Sequence, residues 1–114
     1  MDSSLKISTE SYKRASLITA VGRIDSSNAT QFDSTLKDVL SGGQHNLAID
    51  LSQVNYMSSA GLRAIVAAQR ECKKKGGDVR LAAPSERVAE VLSLAGLNSV
   101  FTVYDNVTAA VGSF

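Results

Sequence analysis

Apolar residues along this chain fall partly into short alternating runs and partly into stretches spaced three and four apart, the mixture expected of an α/β domain. Leu5 to Thr9 and Ala15 to Ile24 read as strands, and the short polar link from Glu10 to Arg14 predicts an antiparallel hairpin. Ser26, Ser27 and Asn28 offer helix caps ahead of Ala29, Phe32, Leu36, Val39 and Leu40, whose spacing makes one buried stripe. Gly42 and Gly43 stop that helix. Leu47 to Leu51 is a further strand with Leu47, Ile49 and Leu51 on one face. Leu62, Ile65, Val66, Gln69 and Cys72 then form a helical stripe that ends in three lysines, Lys73 to Lys75, and the pair Gly76 and Gly77. Val79 to Ala83 is a strand, and Pro84, Ser85 and Glu86 start a helix through Val88, Val91, Leu92 and Ala95, closed by Gly96. Val100 to Tyr104 completes the strands, and Asp105 or Asn106 caps a last helix through Val107, Ala110 and Val111.

The predicted order is therefore ββαβαβαβα, in one α/β domain spanning residues 1–114. Strands joined through helices should run parallel with right-handed crossovers, leaving the first strand as an antiparallel edge of a mixed, mostly parallel sheet. Several strands are more apolar on one face than the other, as with Val79, Leu81 and Ala83 against Arg80 and Ala82, so the helices should pack mainly on one face. A chain of 114 residues buries roughly 60–70% of its unfolded surface, enough for one core without staples.

Charge changes the picture only locally. Twelve Lys and Arg against eleven Asp and Glu leave a net +1, which gives no global field favouring nucleic acid or an anionic bilayer. Residues 62–80 carry a net +4, attributed to lysines at a helix C-terminus; no aromatic residue is interleaved there for base stacking, so nucleic acid is not an expected partner. The longest apolar run, Ala64 to Ala68, falls far short of the ~20 residues a membrane-spanning helix needs. The N-terminus lacks the basic start and apolar run of a signal peptide, and a lone cysteine fits a reducing compartment. The expectation is a cytoplasmic protein with no membrane insertion, and a monomer.

Most site chemistries fail for want of residues. The only histidine, His45, reads as a turn residue, and a serine nucleophile would have to meet it from the opposite end of the following strand. One Cys and one His cannot supply the four ligands of a structural zinc site, so neither a metal nor a cofactor is expected. No glycine pair opens a helix as a phosphate loop does. Cys72 lies on an apolar stripe and reads as a buried small hydrophobe. No catalytic residue is assigned, and an enzyme is not expected.

What remains is the junction from Asn55 to Leu62, where a strand ends and a helix starts on the edge that α/β sheets offer to ligands and partners. A bland reading has one serine of the Ser58-Ser59 pair capping the helix, worth about 1 kcal/mol. Against it, two serines occur where one cap suffices, and Ala60 and Gly61 should leave the helix start open to close approach by another molecule. The segment Gly22 to Ser27 ends another strand on the same edge and brings Asp25 close.

These residues resemble a known family. The stretch from Ala48 to Leu62, with Val21 to Asp25 upstream and Leu94 to Leu97 downstream, is similar to STAS domains, specifically the stand-alone bacterial anti-sigma factor antagonists, over about Lys6 to Ala110. The resemblance implies a non-enzymatic protein that, unphosphorylated, binds an anti-sigma factor that is also its serine kinase, and that a metal-dependent serine phosphatase returns to that state. Matched position by position, it implies Ser59 as phospho-acceptor and a partner surface of Asp25, Asn28, Met57, Ser58, Ser59, Ala60 and Gly61. Ser58 stands where the family has an acidic residue, which makes it the alternative acceptor, and Arg23 stands where an acidic residue is common. The alternative function is a STAS scaffold that binds a nucleotide or joins a membrane-associated complex without a phosphate switch.

Overall fold

The structure, a computed structural model, describes residues 5–114, so residues 1–4 of the predicted domain lie outside it. Its elements are β1 (Leu5–Ser11), β2 (Ser16–Ile24), α1 (Ala29–Ser41), β3 (Asn46–Met57), α2 (Ser59–Lys74), β4 (Asp78–Ala82) and α3 (Glu86–Leu94). A 3-10 turn (Leu97–Ser99), β5 (Thr102–Tyr104) and α4 (Val107–Gly112) complete the chain. The five strands lie in the order β1-β2-β3-β4-β5, with β1 antiparallel to β2 and every other pair parallel.

That order never reverses, and right-handed crossovers then force every connecting helix onto the same side of the sheet. Phe32 and Leu36 of α1, Ile65 and Cys72 of α2, and Val88 and Leu92 of α3 accordingly share one core with Ile18, Leu47, Ile49 and Leu81 of the strands. Only α4, which crosses to no further strand, covers the opposite face, where Ala110 packs on Leu17, Ala48 and Ala82. The expected mixed sheet with helices mainly on one face is what forms.

Several boundaries differ from the sequence reading: β1 runs on to Ser11, β4 ends at Ala82 because Ala83 turns left-handed, and two changes are larger. β3 runs six residues past Leu51, to Met57, because irregularities in its pairing with β2 change the burial spacing from two to three, leaving Leu51, Val54 and Met57 inward. Gly22 takes a φ of 115° at one of these irregularities, a conformation open to glycine. The final strand begins at Thr102 rather than Val100, since Phe101 turns into the core behind the 3-10 turn. Asn106, rather than Asp105, caps α4, accepting from the Ala109 N–H at 2.8 Å.

The buried amide of Gln69 ties α2 to this region, donating to Asp78 Oδ1 at 2.8 Å and to the Val100 carbonyl at 3.2 Å while accepting from the Val79 N–H at 2.7 Å. The turn before β4 is equally tight. A Cβ at Gly77 would run into the carbonyl of His45, which accepts from the Asp78 N–H at 3.1 Å. Gly77→Ala is therefore expected to destabilise the protein by about 3 kcal/mol or more, since backbone must move to admit the methyl, read as a lowered urea midpoint.

Candidate functional site

Ile24 pairs with Met57 at the carboxyl ends of β2 and β3, so the residues that follow them, Asp25 and Ser58, leave the sheet side by side. The Ser58 N–H donates to the Ile24 carbonyl at 2.8 Å, which ties the entry of α2 to the exit of β2. Ser58 is extended (φ −80°, ψ 169°), as an N-cap must be, and its Oγ accepts from the Gly61 N–H at 3.3 Å. Ser59, the first residue of α2, is exposed, and its hydroxyl makes no hydrogen bond among the described residues. The two serines thus divide the work: one hydroxyl is held in the cap and the other faces solvent.

Gly61 and Met57 lie beneath this surface. Gly61 is buried, and a Cβ there would stand 2.7 Å from Ile24 Cγ2 and 3.0 Å from Met57 Cγ. The missing side chain lets the first turn of α2 settle onto the strand ends; it does not open the helix to another molecule, as its small size suggested. Met57 is only 2% exposed and forms the floor. Ala60 is half-buried and lines a groove between α1 and α2.

The loop from β2 to α1 is built around Asp25 and Asn28. Asp25 Oδ1 accepts from the Ser27 N–H at 2.9 Å and from the Ser27 hydroxyl at 2.6 Å. Asn28 is buried and turns back rather than capping α1: its Oδ1 accepts from the Asp25 N–H and its Nδ2 donates to the Arg23 carbonyl, each at 2.9 Å. Asn28 therefore fixes the loop from within, and Asp25 sets a half-buried negative charge at the surface. The hydrogen bonds from Ser27, helped by Arg23, hold the Asp25 carboxyl below its ordinary value.

Arg23 was noted in the sequence only as a departure from pattern. Its guanidinium lies 4.5 Å from the Tyr56 ring centre and 3.7 Å from Asp25 Oδ2, so it joins β2, β3 and the loop at the edge. The register that sets Arg23 opposite Tyr56 arises from the pairing irregularity and has no sequence signal. A third loop reaches the edge after β4. Ala83 has a φ of 48°, a conformation that costs a non-glycine residue roughly 1–2 kcal/mol, and the chain is held there by Ser85 Oγ donating to the Val54 carbonyl at 2.6 Å.

Other candidates are not brought to this edge. His45 sits just before β3, at the far end of that strand from the serines. Cys72 is fully buried, and burial, with Asp78 and Glu71 nearby, pushes its thiol up to about 11. Among the described residues no group of three or more His, Cys, Asp or Glu could hold a metal ion, and no helix is long and apolar enough to cross a membrane.

A domain of this strand order, with a serine-capped helix at the end of its central strand, matches a known family. The profile of the STAS domain aligns with residues 6–110, and the chain belongs to the STAS domain family. Among relatives, BtrV of Bordetella bronchiseptica, which carries the name of an anti-sigma factor antagonist, is 30% identical over 93 residues, 82% of this chain and 80% of BtrV. A crystal structure of a Thermotoga maritima protein, likewise named as an anti-sigma factor antagonist, superposes with a TM-score of 0.88 at 25% identity, over 94% of this chain and 92% of the other. SpoIIAA, an anti-sigma factor antagonist, shares the fold in both its unphosphorylated form (TM-score 0.83, 19% identity, 95% of each chain) and its phosphorylated form (TM-score 0.76, 18% identity, 95% and 98% covered).

Two outcomes are expected of this geometry. Gly61→Ala should lower stability by about 1–2 kcal/mol in chemical denaturation, because crowding against Ile24 exceeds the helix-propensity gain of the methyl. The depressed Asp25 carboxyl stabilises the loop above the unfolded-state value of 3.8 and loses that contribution as pH falls through its lower folded value. An NMR titration should therefore show the Asp25 carboxyl and Ser27 amide moving together with a midpoint below 3.8, and Asp25→Asn should abolish the transition.

Proposed function

We propose that this protein is an anti-sigma factor antagonist that works by partner switching, with Ser59 as its phospho-acceptor. The observation that carries the reading is the division between the two serines: Ser58 is committed to the cap of α2, while Ser59 presents a free hydroxyl on the same edge as Asp25. Unphosphorylated, the edge binds an anti-sigma factor with serine kinase activity and so frees the sigma factor. The kinase then transfers the terminal phosphoryl group of a nucleoside triphosphate. The Ser59 Oγ–P bond forms as the bond to the nucleoside diphosphate breaks, and the hydroxyl proton leaves to a base on the kinase. A serine phosphatase restores the hydroxyl by hydrolysis, releasing inorganic phosphate.

Physical chemistry supports the direction of the switch. A phosphate brings about −1.5 to −2 charges and bulk to a surface that already carries Asp25, so a partner packed over Ser59 and Ala60 meets repulsion and desolvation. Tenfold weaker binding requires only about 1.4 kcal/mol. The unreversed strand order also favours a protein partner over the alternative of a bound nucleotide. Doubly wound sheets bind small ligands in the crevice where strand order reverses, and this sheet has no reversal.

Peptide mass spectrometry of the protein from its own cells is expected to find one phosphatase-removable phosphate, on Ser59. Ser59→Ala should stay folded and bind its anti-sigma factor constitutively, whereas Ser59→Asp should bind at least about tenfold more weakly by calorimetry. Ser58→Ala should lose about 1 kcal/mol of stability and still accept phosphate. Phosphate confined to Ser58, or unchanged affinity of Ser59→Asp together with no phosphate on Ser59, would overturn the assignment.

A further inference from the structure

The geometry points to Arg63 as the residue that clasps a phosphate on Ser59 from within the same helix, holding the modified side chain along α2 rather than leaving it to solvent. This inference rests on the reading of Ser59 as the acceptor. Residues 59 and 63 are four apart, so their side chains lie one above the other on a single face of α2. Long helical side chains lean toward the helix N-terminus, which aims the Arg63 guanidinium back over the first turn. An anion four residues ahead of a cation is also the favourable order for such a pair. The planar fork of arginine suits two phosphate oxygens at once.

The i,i+4 placement singles out Arg63, and the state of the neighbouring charges leaves it available. Arg23, which also lies at this edge, is already engaged by Asp25 and the Tyr56 ring. Across the groove on α1, Lys37 holds Asp33 at 2.9 Å. Further along α2, Lys73 holds Asp78 at 3.3 Å and Lys74 holds Glu71 at 3.2 Å. Arg63 is exposed and makes no ion pair or hydrogen bond among the described residues, so a phosphate need break nothing to recruit it. It lines a groove of about 380 Å³ with Ala60, Ala29, Thr30, Asp33 and Lys37, and its turn toward Ser59 would strip one positive charge from that groove. The modification would then alter the α1–α2 surface as well as the helix tip.

The test uses the full chain with phosphoserine encoded at position 59, read by 31P NMR across the second phosphate ionisation, about pH 6. Arg63→Gln is expected to raise that midpoint by about 0.2–0.4 unit, Arg63→Lys to recover part of the shift, and 0.5 M salt to shrink the difference. Arg70→Gln, about 16 Å from Ser59 along the helix, is expected to leave the midpoint unchanged. A midpoint unmoved by Arg63→Gln, with the helix N-terminus alone binding the phosphate, would overturn the clasp, as would an equal response to Arg70→Gln. Because the phosphate is installed directly, the titration is independent of whether cells phosphorylate Ser59, and mass spectrometry of the native protein decides that separately.

Discussion

The hydrogen bond from the Ser58 N–H to the Ile24 carbonyl is the contact on which the rest of the site depends. It joins the end of one strand to the start of the helix that follows its neighbour, and the side chains around it are arranged so that it can form. Gly61 is the necessary condition. A side chain there would meet Ile24 Cγ2 and Met57 Cγ, so either these side chains or the first turn of α2 would have to shift. Close seating of the helix tip then fixes where Ser59 projects, and pairing of Ile24 with Met57 fixes Asp25 beside it. Residues that look like a partner surface in the sequence thus separate into a buried support, Met57, Gly61 and Asn28, and an outer face on which Asp25 is half-buried and Ser59 exposed.

Strand order determines what kind of site this can be. A sheet that grows in one direction places α1, α2 and α3 on one side and brings the loops after β2, β3 and β4 to a common edge. No crevice opens between oppositely wound halves, so the edge is a surface rather than a pocket. Its rigidity comes from local polar contacts: Asn28 spanning Arg23 to Asp25, Ser27 on the Asp25 carboxylate, and Ser85 on the Val54 carbonyl. A fixed, exposed, polar face supported on packed strands suits recognition by another protein, where little ordering entropy remains to be lost on binding.

Much of this was legible in the sequence, and what was not has identifiable causes. Helix stripes such as Phe32 with Leu36, and Ile65 with Cys72, follow the period of the α-helix and were placed correctly. That a serine caps α2 follows from residue type, although only the structure picks Ser58 over Ser59, and the stop at Gly76, whose φ is 80°, follows from residue type as well. β3 was cut short because pairing irregularities replace its two-residue period with a three-residue one after Leu51, and such defects depend on the partner strand. Gly61 is ambiguous in the sequence because smallness at a helix start signals either an opening outward or a close contact inward, and only the position of Ile24 decides between them. Asn28 is one of three cap candidates in the sequence, yet the preceding turn offers its amide two backbone partners behind it.

On the proposed reading, the same division of serines would let a domain this small carry a covalent switch without unfolding. A cap hydroxyl that became phosphorylated would have to leave its place on the Gly61 N–H, loosening the first turn that Gly61 seats on the sheet. Ser59 holds no such bond, and it stands at the positive end of the helix dipole, where added negative charge is favourable to the helix itself. The fold is therefore indifferent to, or slightly stabilised by, a group that a partner surface would find repulsive. On the proposed reading, modification at Ser59 would leave the domain intact and concentrate its free-energy change at the interface, which is what reversible exchange of partners requires.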